Sequence, residues 1–209
     1  MKPSYLLLSL LLCSLLPAPG SVLFAQSPEP ASQPVIDEKR AFTTEDVDYL
    51  YAKGLVMPTQ GLKPSTLLNT YRISGGSHHR AIDIMAPRNT PLVAVADATV
   101  HRLYHGKTAG ISVYLLDENG AILYYYAHLS RYAEGLAEGQ VVKQGDVIGY
   151  VGTTGNAKGR LPHVHFSIFK APNPKRWWRV AALNPYYVFT NKEYPLEDLT
   201  NEQNLAPED

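Results

Sequence analysis

A helical period of apolar positions marks one short stretch in the first quarter of the chain. Residues 43–53 place apolar side chains on one stripe at the spacing of an α-helix. Thr43 and Asp46 form a capping pair at its start, and Gly54 follows it at the position of a C-cap. This pattern predicts a short N-terminal helix whose apolar stripe packs on the rest of the domain.

From about residue 55 the pattern changes to short apolar runs separated by turn residues. An Asn-Gly pair at 119–120 stands between two of these runs and is a strong hairpin signal. The runs have no helical period, and they are rich in β-branched residues and tyrosine. We therefore expect an all-β fold with an antiparallel core, preceded by the short helix. The strand-like runs are Pro91–Leu103, Ile111–Leu116, Ile122–His128, Val141–Gly149 and Pro162–Phe169.

The N-terminus has the features of a secretory signal peptide. Lys2 precedes a nearly unbroken apolar run over Tyr5–Leu16, and helix-breaking residues follow before Ala25, the expected cleavage position. The run is shorter than the ~20 residues that span a bilayer, so we expect no membrane span in the mature chain. An uncleaved anchor is the main alternative. A lipoprotein would use Cys13, but bulky Leu12 precedes it.

Four segments follow from these patterns. We expect a signal peptide at 1–25, a leader with the short helix at 26–54, a β-rich domain at 55–190 and a loose polar tail at 191–209. The chain would be exported to the periplasm or to the extracellular side of the cell envelope.

Composition narrows the possible partners. The formal net charge of zero gives no electrostatic reason to expect a nucleic acid or an acidic membrane as partner. Cys13 is the single cysteine and would leave with the signal peptide, so the mature chain would contain no disulfide. Nothing in the sequence predicts an oligomeric state.

Two histidine-bearing segments carry the candidate chemistry. His79 and Asp83 are four residues apart, so in a strand both face one side, whereas His78 would face the other side. His163 and His165 likewise share the polar face of a strand. Two imidazoles and one carboxylate from these segments form a ligand set that suits zinc and leaves one position for water.

The remaining imidazoles are candidates for proton transfer. His128 lies between the two segments in a tyrosine-rich run, and one imidazole of the downstream pair is left over when three ligands are chosen. Such groups orient or deprotonate a metal-bound water and stabilise the oxyanion that forms at the attacked carbonyl. His101 and His105 have no comparable partner pattern, and we expect them at the surface.

These motifs resemble the M23 peptidases, the lysostaphin/LytM-type zinc endopeptidases of bacterial cell walls. The resemblance covers roughly residues 55–190 and includes the runs after the first two ligands and around Val142–Gly149. It is carried by His79-x-x-x-Asp83, Tyr126-Ala127-His128-Leu129 and His163-Val164-His165-Phe166.

The resemblance implies a specific site and substrate. His79, Asp83 and His165 would be the zinc ligands, and His128 and His163 would be the catalytic pair. The fold would be the family's antiparallel core of two sheets with a groove across it. The reaction would be hydrolysis of a peptide bond in the stems or crossbridges of peptidoglycan.

The sequence departs from the family pattern at two positions, neither of which removes a ligand or a catalytic histidine. Ala81 and Asn89 stand where glycine is usual, and Ala81 would tighten the backbone beside the metal.

A non-catalytic, LytM-like regulator of cell-wall amidases is the alternative function, although all five site residues are present. A biotinyl or lipoyl carrier-like hairpin at Val142–Gly149 is disfavoured, because Lys143 does not sit at the tip of a tight turn. Trp177 and Trp178 would either stack on substrate or pack under their loop.

Overall fold

The structure is a computed structural model that describes residues 41–73, 78–173, 175 and 180–199. The predicted signal peptide, most of the predicted leader, and both Trp177 and Trp178 lie outside the described residues. The helices are α1 (Thr44–Lys53) and α2 (Pro185–Thr190), and the strands are β1 (Ile82–Met85), β2 (Pro91–Val93), β3 (Ala98–Gly106), β4 (Gly110–Asp117), β5 (Ile122–Leu129), β6 (Arg131–Tyr132), β7 (Val141–Val142), β8 (Val147–Tyr150), β9 (His163–Lys170) and β10 (Ala181–Leu183).

The strands form two antiparallel sheets, which confirms the predicted fold class. The larger sheet has seven strands in the order β1-β9-β5-β4-β3-β7, with β10 also paired to β9. The smaller sheet has the order β2-β8-β6. The predicted hairpin at Asn119-Gly120 joins β4 to β5, and Gly120 adopts the positive φ that this turn requires.

The main hydrophobic core lies on one face of the larger sheet and includes residues of the smaller sheet. In strand β9, Val164, Phe166 and Ile168 are fully buried in this core. His163 and His165 alternate with them and face the other way. The hydroxyl of Tyr126 in β5 reaches the smaller sheet, where it donates to the backbone carbonyl of Val93 at 3.1 Å. The alternation predicted for residues 163–168, in β9, is therefore confirmed.

A second apolar cluster covers part of the opposite face of the larger sheet. The rings of Tyr114 and Tyr125 stack with centroids 4.4 Å apart, and Phe169 lies 5.7 Å from Tyr125. Alternation along β5 places Tyr125 on the face opposite Tyr126. The face of the larger sheet opposite the main core therefore has aromatic packing of its own.

Helix α1 forms as predicted and docks on the domain. Thr43 and Asp46 make the reciprocal capping box, and Gly54 adopts the left-handed conformation of a C-cap. Leu50 is fully buried in the main core. The hydroxyl of Tyr49 donates to the carboxylate of Asp117 at the end of β4, which ties the helix to the large sheet.

Two predicted runs are divided differently in the structure. The run Pro91–Leu103 is not one strand, because the chain leaves the smaller sheet after Val93 and enters the larger one at Ala98. The predicted strand-turn-strand unit Val141–Gly149 is not a hairpin, because β7 pairs with β3 and β8 pairs with β2. In both places a short turn carries the chain from one sheet to the other, which alternation within a run does not reveal.

The described part of the segment that was expected to be a loose tail contacts the rest of the domain. Tyr194 is 4% exposed, and its hydroxyl accepts from the backbone N–H of Asn184 at 3.1 Å. The carbonyl of Lys192 accepts from the hydroxyl of Tyr51 in α1. Residues 191–199 therefore pack on the domain, because an aromatic ring within this polar segment is buried. No helix in the described part of the chain is long and apolar enough to cross a membrane.

Candidate metal centre

Three donor atoms from His79, Asp83 and His165 converge on one point. His79 Nε2 lies 3.1 Å from Asp83 Oδ1 and 3.1 Å from His165 Nδ1. His165 Nδ1 lies 3.3 Å from Asp83 Oδ1. All three side chains are half-buried. The structure thus brings together the three residues that the sequence singled out as metal ligands.

Pairing of β1 with β9 creates half of this arrangement. Asp83 is directly opposite His165 in the antiparallel register, and both side chains leave the sheet on the same face. The flanking residues Ile82 and Ile84 face the core and are buried, so the register is fixed by the apolar positions. Two donors are thereby presented side by side on a rigid scaffold.

His79 reaches the same point from outside the strand. Strand β1 begins only at Ile82, and His79 lies in a preceding segment that forms an isolated bridge with Arg72. The strand-spacing argument for His79 and Asp83 therefore does not apply, because His79 lies outside the strand, although both residues belong to the cluster of three donors. The ring is held instead by the backbone carbonyl of Thr70, which accepts from His79 Nδ1 at 2.8 Å. His78 is exposed.

Thr70 supports two ligands at once. Its carbonyl fixes the protonated nitrogen of His79, which leaves the Nε2 lone pair for a metal. Its hydroxyl accepts from the backbone N–H of Asp83 at 2.8 Å. Sequence reasoning did not find this residue, because a threonine in a polar loop has no distinctive pattern.

His163 is held beside the three donors. Its Nδ1 donates to the Leu161 carbonyl at 2.8 Å, and its Nε2 lies 4.0 Å from Asp83 Oδ1. The side chain is 7% exposed. The lone pair of Nε2 is therefore directed toward the candidate metal centre without entering the cluster of three donors.

His128 reaches the site through an irregularity in β5. It has a φ of 65°, and the pairing of β4 with β5 shifts register beside it. Its ring centroid lies 5.1 Å from that of His163 and 5.6 Å from that of His165. Its Nδ1 donates to the Thr154 carbonyl at 3.0 Å. Both predicted catalytic imidazoles thus present Nε2 to the same cleft.

Close backbone packing holds the segment that follows His128. Gly152 lies so near that an added Cβ would come within 2.6 Å of the His128 carbonyl oxygen and 2.3 Å of the Ser130 nitrogen. Only glycine allows the two loops to approach this closely. Gly152 also forms an isolated bridge with His163, so one contact region joins both imidazole-bearing segments.

The pKa values of Asp83 and His128 are both lowered by their surroundings. Burial would raise the pKa of Asp83, but hydrogen bonds to His165 and His79 outweigh it, so the pKa of this carboxyl lies well below its usual range. Burial and the neighbouring charges of His165 and His163 lower the pKa of His128 to about 4. At neutral pH the carboxylate is ionised and the His128 ring is neutral.

The donor set fits a zinc ion. Two imidazole nitrogens and one carboxylate oxygen are ligands that zinc accepts, and ligands at about 2.0–2.1 Å in a tetrahedron are roughly 3.4 Å apart. The three separations of 3.1–3.3 Å match this spacing. An ion at this point would also offset the crowding of three lone pairs, because His79 carries its proton on the opposite nitrogen.

The two departures from the usual glycines have different outcomes. Among the residues that the structure describes, the non-glycine residues with positive φ are Asn89, His128 and Asn191, so Ala81 is not strained. Asn89 has a φ of 68°, which asparagine tolerates better than most residues. Its side-chain oxygen accepts from Ser130 Oγ and Arg131 Nη1, both at 2.9 Å. Asparagine thus replaces glycine while securing the loop after His128.

Of the two other histidines that the sequence placed at the surface, His105 is exposed. His101 is half-buried on β3. Strand β3 lies beyond β5 and β4 from β9, so neither belongs to the cluster around His165.

Comparisons with known proteins agree with this geometry. The profile of Peptidase family M23 matches residues 77–177. The DD-carboxypeptidase/endopeptidase Mpg of Neisseria meningitidis is 34% identical over 134 residues, which are 63% of this chain and 27% of that protein. The peptidoglycan DD-endopeptidase ShyC of Vibrio cholerae is 38% identical over 88 residues, 42% of this chain and 19% of that protein. The chain thus spans less than a third of the length of these relatives.

A solved structure supports the same assignment. The crystal structure of a candidate glycyl-glycine endopeptidase lytM from Ruminococcus gnavus superposes with a TM-score of 0.51 at 28% identity, covering 60% of this chain and 53% of that one. The profile match encloses all five residues of the candidate site. The matched region, residues 77–177, therefore belongs to peptidase family M23.

Proposed function

We propose that the protein is a zinc-dependent endopeptidase that hydrolyses peptide bonds of bacterial peptidoglycan. Family membership and the endopeptidase relatives support a peptidase. The observation that carries the finer proposal is the convergence of His79, Asp83 and His165 within 3.1–3.3 Å, with two more imidazoles beside them. A closed structural site would use four protein ligands, whereas three ligands leave a position for water.

The chain's own residues have distinct roles in this proposal. His79, Asp83 and His165 hold zinc, which when bound lowers the pKa of a coordinated water and polarises the carbonyl of the substrate. Because the pKa of Asp83 is far below its usual range, its carboxylate stays charged and available as a ligand. Thr70 keeps the His79 ring in the tautomer that presents Nε2.

His128 and His163 move protons. Each donates its Nδ1 proton to a backbone carbonyl, so each neutral ring offers the Nε2 lone pair to the cleft. A lone pair there accepts a proton from the attacking water, and a ring that has gained the proton donates it to the leaving amine. The protonated form also stabilises the negative charge that develops on the attacked carbonyl oxygen.

Export completes the proposal, because peptidoglycan lies outside the cytoplasmic membrane. We propose that residues 1–25 are a signal peptide and that residues 55–190 form the peptidase domain. The name of the Vibrio cholerae relative, a peptidoglycan DD-endopeptidase, supports peptidoglycan as substrate. The mature protein would act in the periplasm or outside the cell.

The test uses the purified mature chain, zinc and isolated sacculi. Mass spectrometry of the released muropeptides should show new peptide ends, and His79→Ala should abolish their release. His105→Ala removes an exposed histidine outside the cluster and should retain activity. Activity that persists unchanged in His79→Ala would refute the proposal.

The same preparation tests the alternative of a non-catalytic regulator. Zinc content near one ion per chain, no cleaved muropeptides, and stimulation of an added cell-wall amidase would together favour that alternative. Release of cleaved muropeptides by the protein alone excludes it as the full account.

A further inference from the structure

Thr154, a residue outside the metal cluster, contacts the His128 segment with both its backbone and its side chain. Its carbonyl accepts from His128 Nδ1 at 3.0 Å, and its backbone N–H donates to the His128 carbonyl at 3.5 Å. Its hydroxyl donates to the carbonyl of Leu129 at 2.7 Å. These partners are 26 and 25 residues away in the chain, so a loop after β8 holds the end of β5.

The hydroxyl of Thr154 also joins β5 to β4 beside an irregularity in their pairing. It accepts from the Ile111 backbone N–H at 3.0 Å while it donates to the Leu129 carbonyl. Ile111 and Leu129 are directly opposite each other in the two strands, and the register shifts between this pair and the pair formed by Val113. The shift leaves β5 with an extra residue at His128, as in a β-bulge. The hydroxyl therefore fixes the strand pair that borders the bulge.

Two glycines make room for Thr154 at this place. Gly110 has a φ of 65°, and an added Cβ would lie 2.3 Å from Thr154 Oγ1. A Cβ on Gly155 would lie 2.1 Å from the Thr108 carbonyl oxygen. The same carbonyl accepts from the Asn156 backbone N–H at 2.9 Å. Thr154 is thus held against the turn between β3 and β4, at a distance that only glycine permits.

The conformation of His128 depends on such contacts. A residue other than glycine seldom adopts a positive φ, and the surrounding structure has to maintain it. Without the Thr154 hydroxyl, the Ile111 N–H loses an acceptor and the Leu129 carbonyl loses a donor. The loop is then free to move away from β5 together with the carbonyl that holds the His128 ring.

We propose that Thr154 is a positioning residue for proton transfer, whose hydroxyl and carbonyl together keep the His128 ring turned toward the metal centre. This inference rests on the proposed function, in which His128 exchanges a proton with the attacking water or the leaving amine. The metal ligands depend on different contacts, because Thr70 holds the ring of His79 and the backbone of Asp83. Loss of the Thr154 hydroxyl therefore slows the chemical step and leaves zinc binding intact.

Kinetics of three variants on one soluble muropeptide test this role. Thr154→Val keeps the shape of the side chain, and its kcat should fall by about 100-fold, the effect of misplacing a reacting group by ~1 Å, with KM and zinc content unchanged. Thr154→Ser keeps the hydroxyl and should retain most of the activity. The matched control Thr153→Val removes the neighbouring hydroxyl, which accepts from Arg88 at 3.2 Å, and should keep the wild-type kcat. Thr154→Ala replaces the valine variant if that variant shows no cooperative melting transition.

Nitrogen NMR of labelled histidine rings keeps the two proposals separate. In the zinc-bound wild type the His128 ring should carry its proton on Nδ1, and the signal missing in His128→Gln assigns it. In Thr154→Val this proton should exchange with water and the ring should become a mixture of tautomers.

The outcomes discriminate clearly. A retained Nδ1–H signal, an unchanged kcat or a loss of zinc in Thr154→Val would overturn the positioning role, as would an equal loss of activity in Thr154→Ser. Absence of cleavage by the wild type refutes the proposed function, and the His128 signal then decides the role of Thr154 alone.

Discussion

His128 and Tyr126 project from opposite faces of β5 although they are two residues apart in the chain. The ring of Tyr126 lies 5.0 Å from that of Phe166 in the core, whereas the ring of His128 faces His163 and His165. Regular alternation would put both rings on the core face. The positive φ of His128 and the register shift beside it re-aim the imidazole, as bulges near active sites do.

The positive φ of His128 predicts that glycine at position 128 gives a more stable protein than alanine does. Glycine adopts φ near 65° without a steric penalty, whereas alanine pays about 1 kcal/mol or more for it. His128→Gly should therefore have a higher free energy of unfolding than His128→Ala by about 1 kcal/mol, although both variants lose hydrolytic activity. Urea unfolding of the two variants measures the difference, and an alanine variant that is equally stable would contradict it.

The histidines of the site show which features the sequence predicts and which it does not. Alternation in β9 identified the face of His163 and His165, because Val164, Phe166 and Ile168 are apolar without exception. Alternation requires a regular strand, and His79 lies before β1 begins. The pattern of residues therefore named the metal candidates and could not show how the loop presents one of them.

Contacts between distant segments determine the features that the sequence does not predict. The role of Thr70 follows from a pairing of Arg72 with His79 that no local pattern encodes. The division of Val141–Gly149 between two sheets depends on which edge strands are free, a property of the whole topology. The burial of Tyr194 likewise depends on tertiary packing, because its ring lies 5.3 Å from that of Tyr187 in α2 and its hydroxyl accepts from the Asn184 backbone.

Tyr124 predicts a loss of stability at alkaline pH. Burial, together with the charge of Asp117, raises the pKa of Tyr124 above its usual value near 10. The folded protein then keeps a proton that the unfolded chain releases above pH 10. The stabilising effect is complete below pH 10 and is lost as pH rises further, by about 1.4 kcal/mol per pH unit.

Substitution of this tyrosine isolates the effect. Tyr124→Phe should reduce the slope of unfolding free energy against pH between about 10 and 11 by most of that amount. At neutral pH it should cost about 1 kcal/mol, because Asp117 loses one hydrogen-bond donor. Tyr104→Phe changes an exposed ring and serves as control. Parallel pH profiles for wild type and Tyr124→Phe in urea titrations would show that another group dominates.

Thr70 predicts a loss of metal affinity without a change in ligands. Thr70→Val preserves the carbonyl that holds His79 and removes the hydroxyl that accepts from the Asp83 backbone. Loss of such a supporting contact weakens zinc binding by about 10-fold or more. Competition with a fluorescent chelator measures the dissociation constant. Thr66→Val removes a hydroxyl bonded within its own turn and should bind zinc as the wild type does.

Removal of zinc should lower the melting temperature without unfolding the protein at room temperature. The donors lie outside the main hydrophobic core, which is assembled from both sheets and both helices. Zinc at 100 times its dissociation constant stabilises by about 2.7 kcal/mol, which corresponds to roughly 5–10 °C for a domain of this size. Asp83→Asn should abolish this zinc-dependent shift, whereas Asp97→Asn, which removes a carboxylate bonded to Lys143, should retain it. A shift of equal size in Asp83→Asn, recorded by calorimetry with and without chelator, would mean that zinc binds elsewhere.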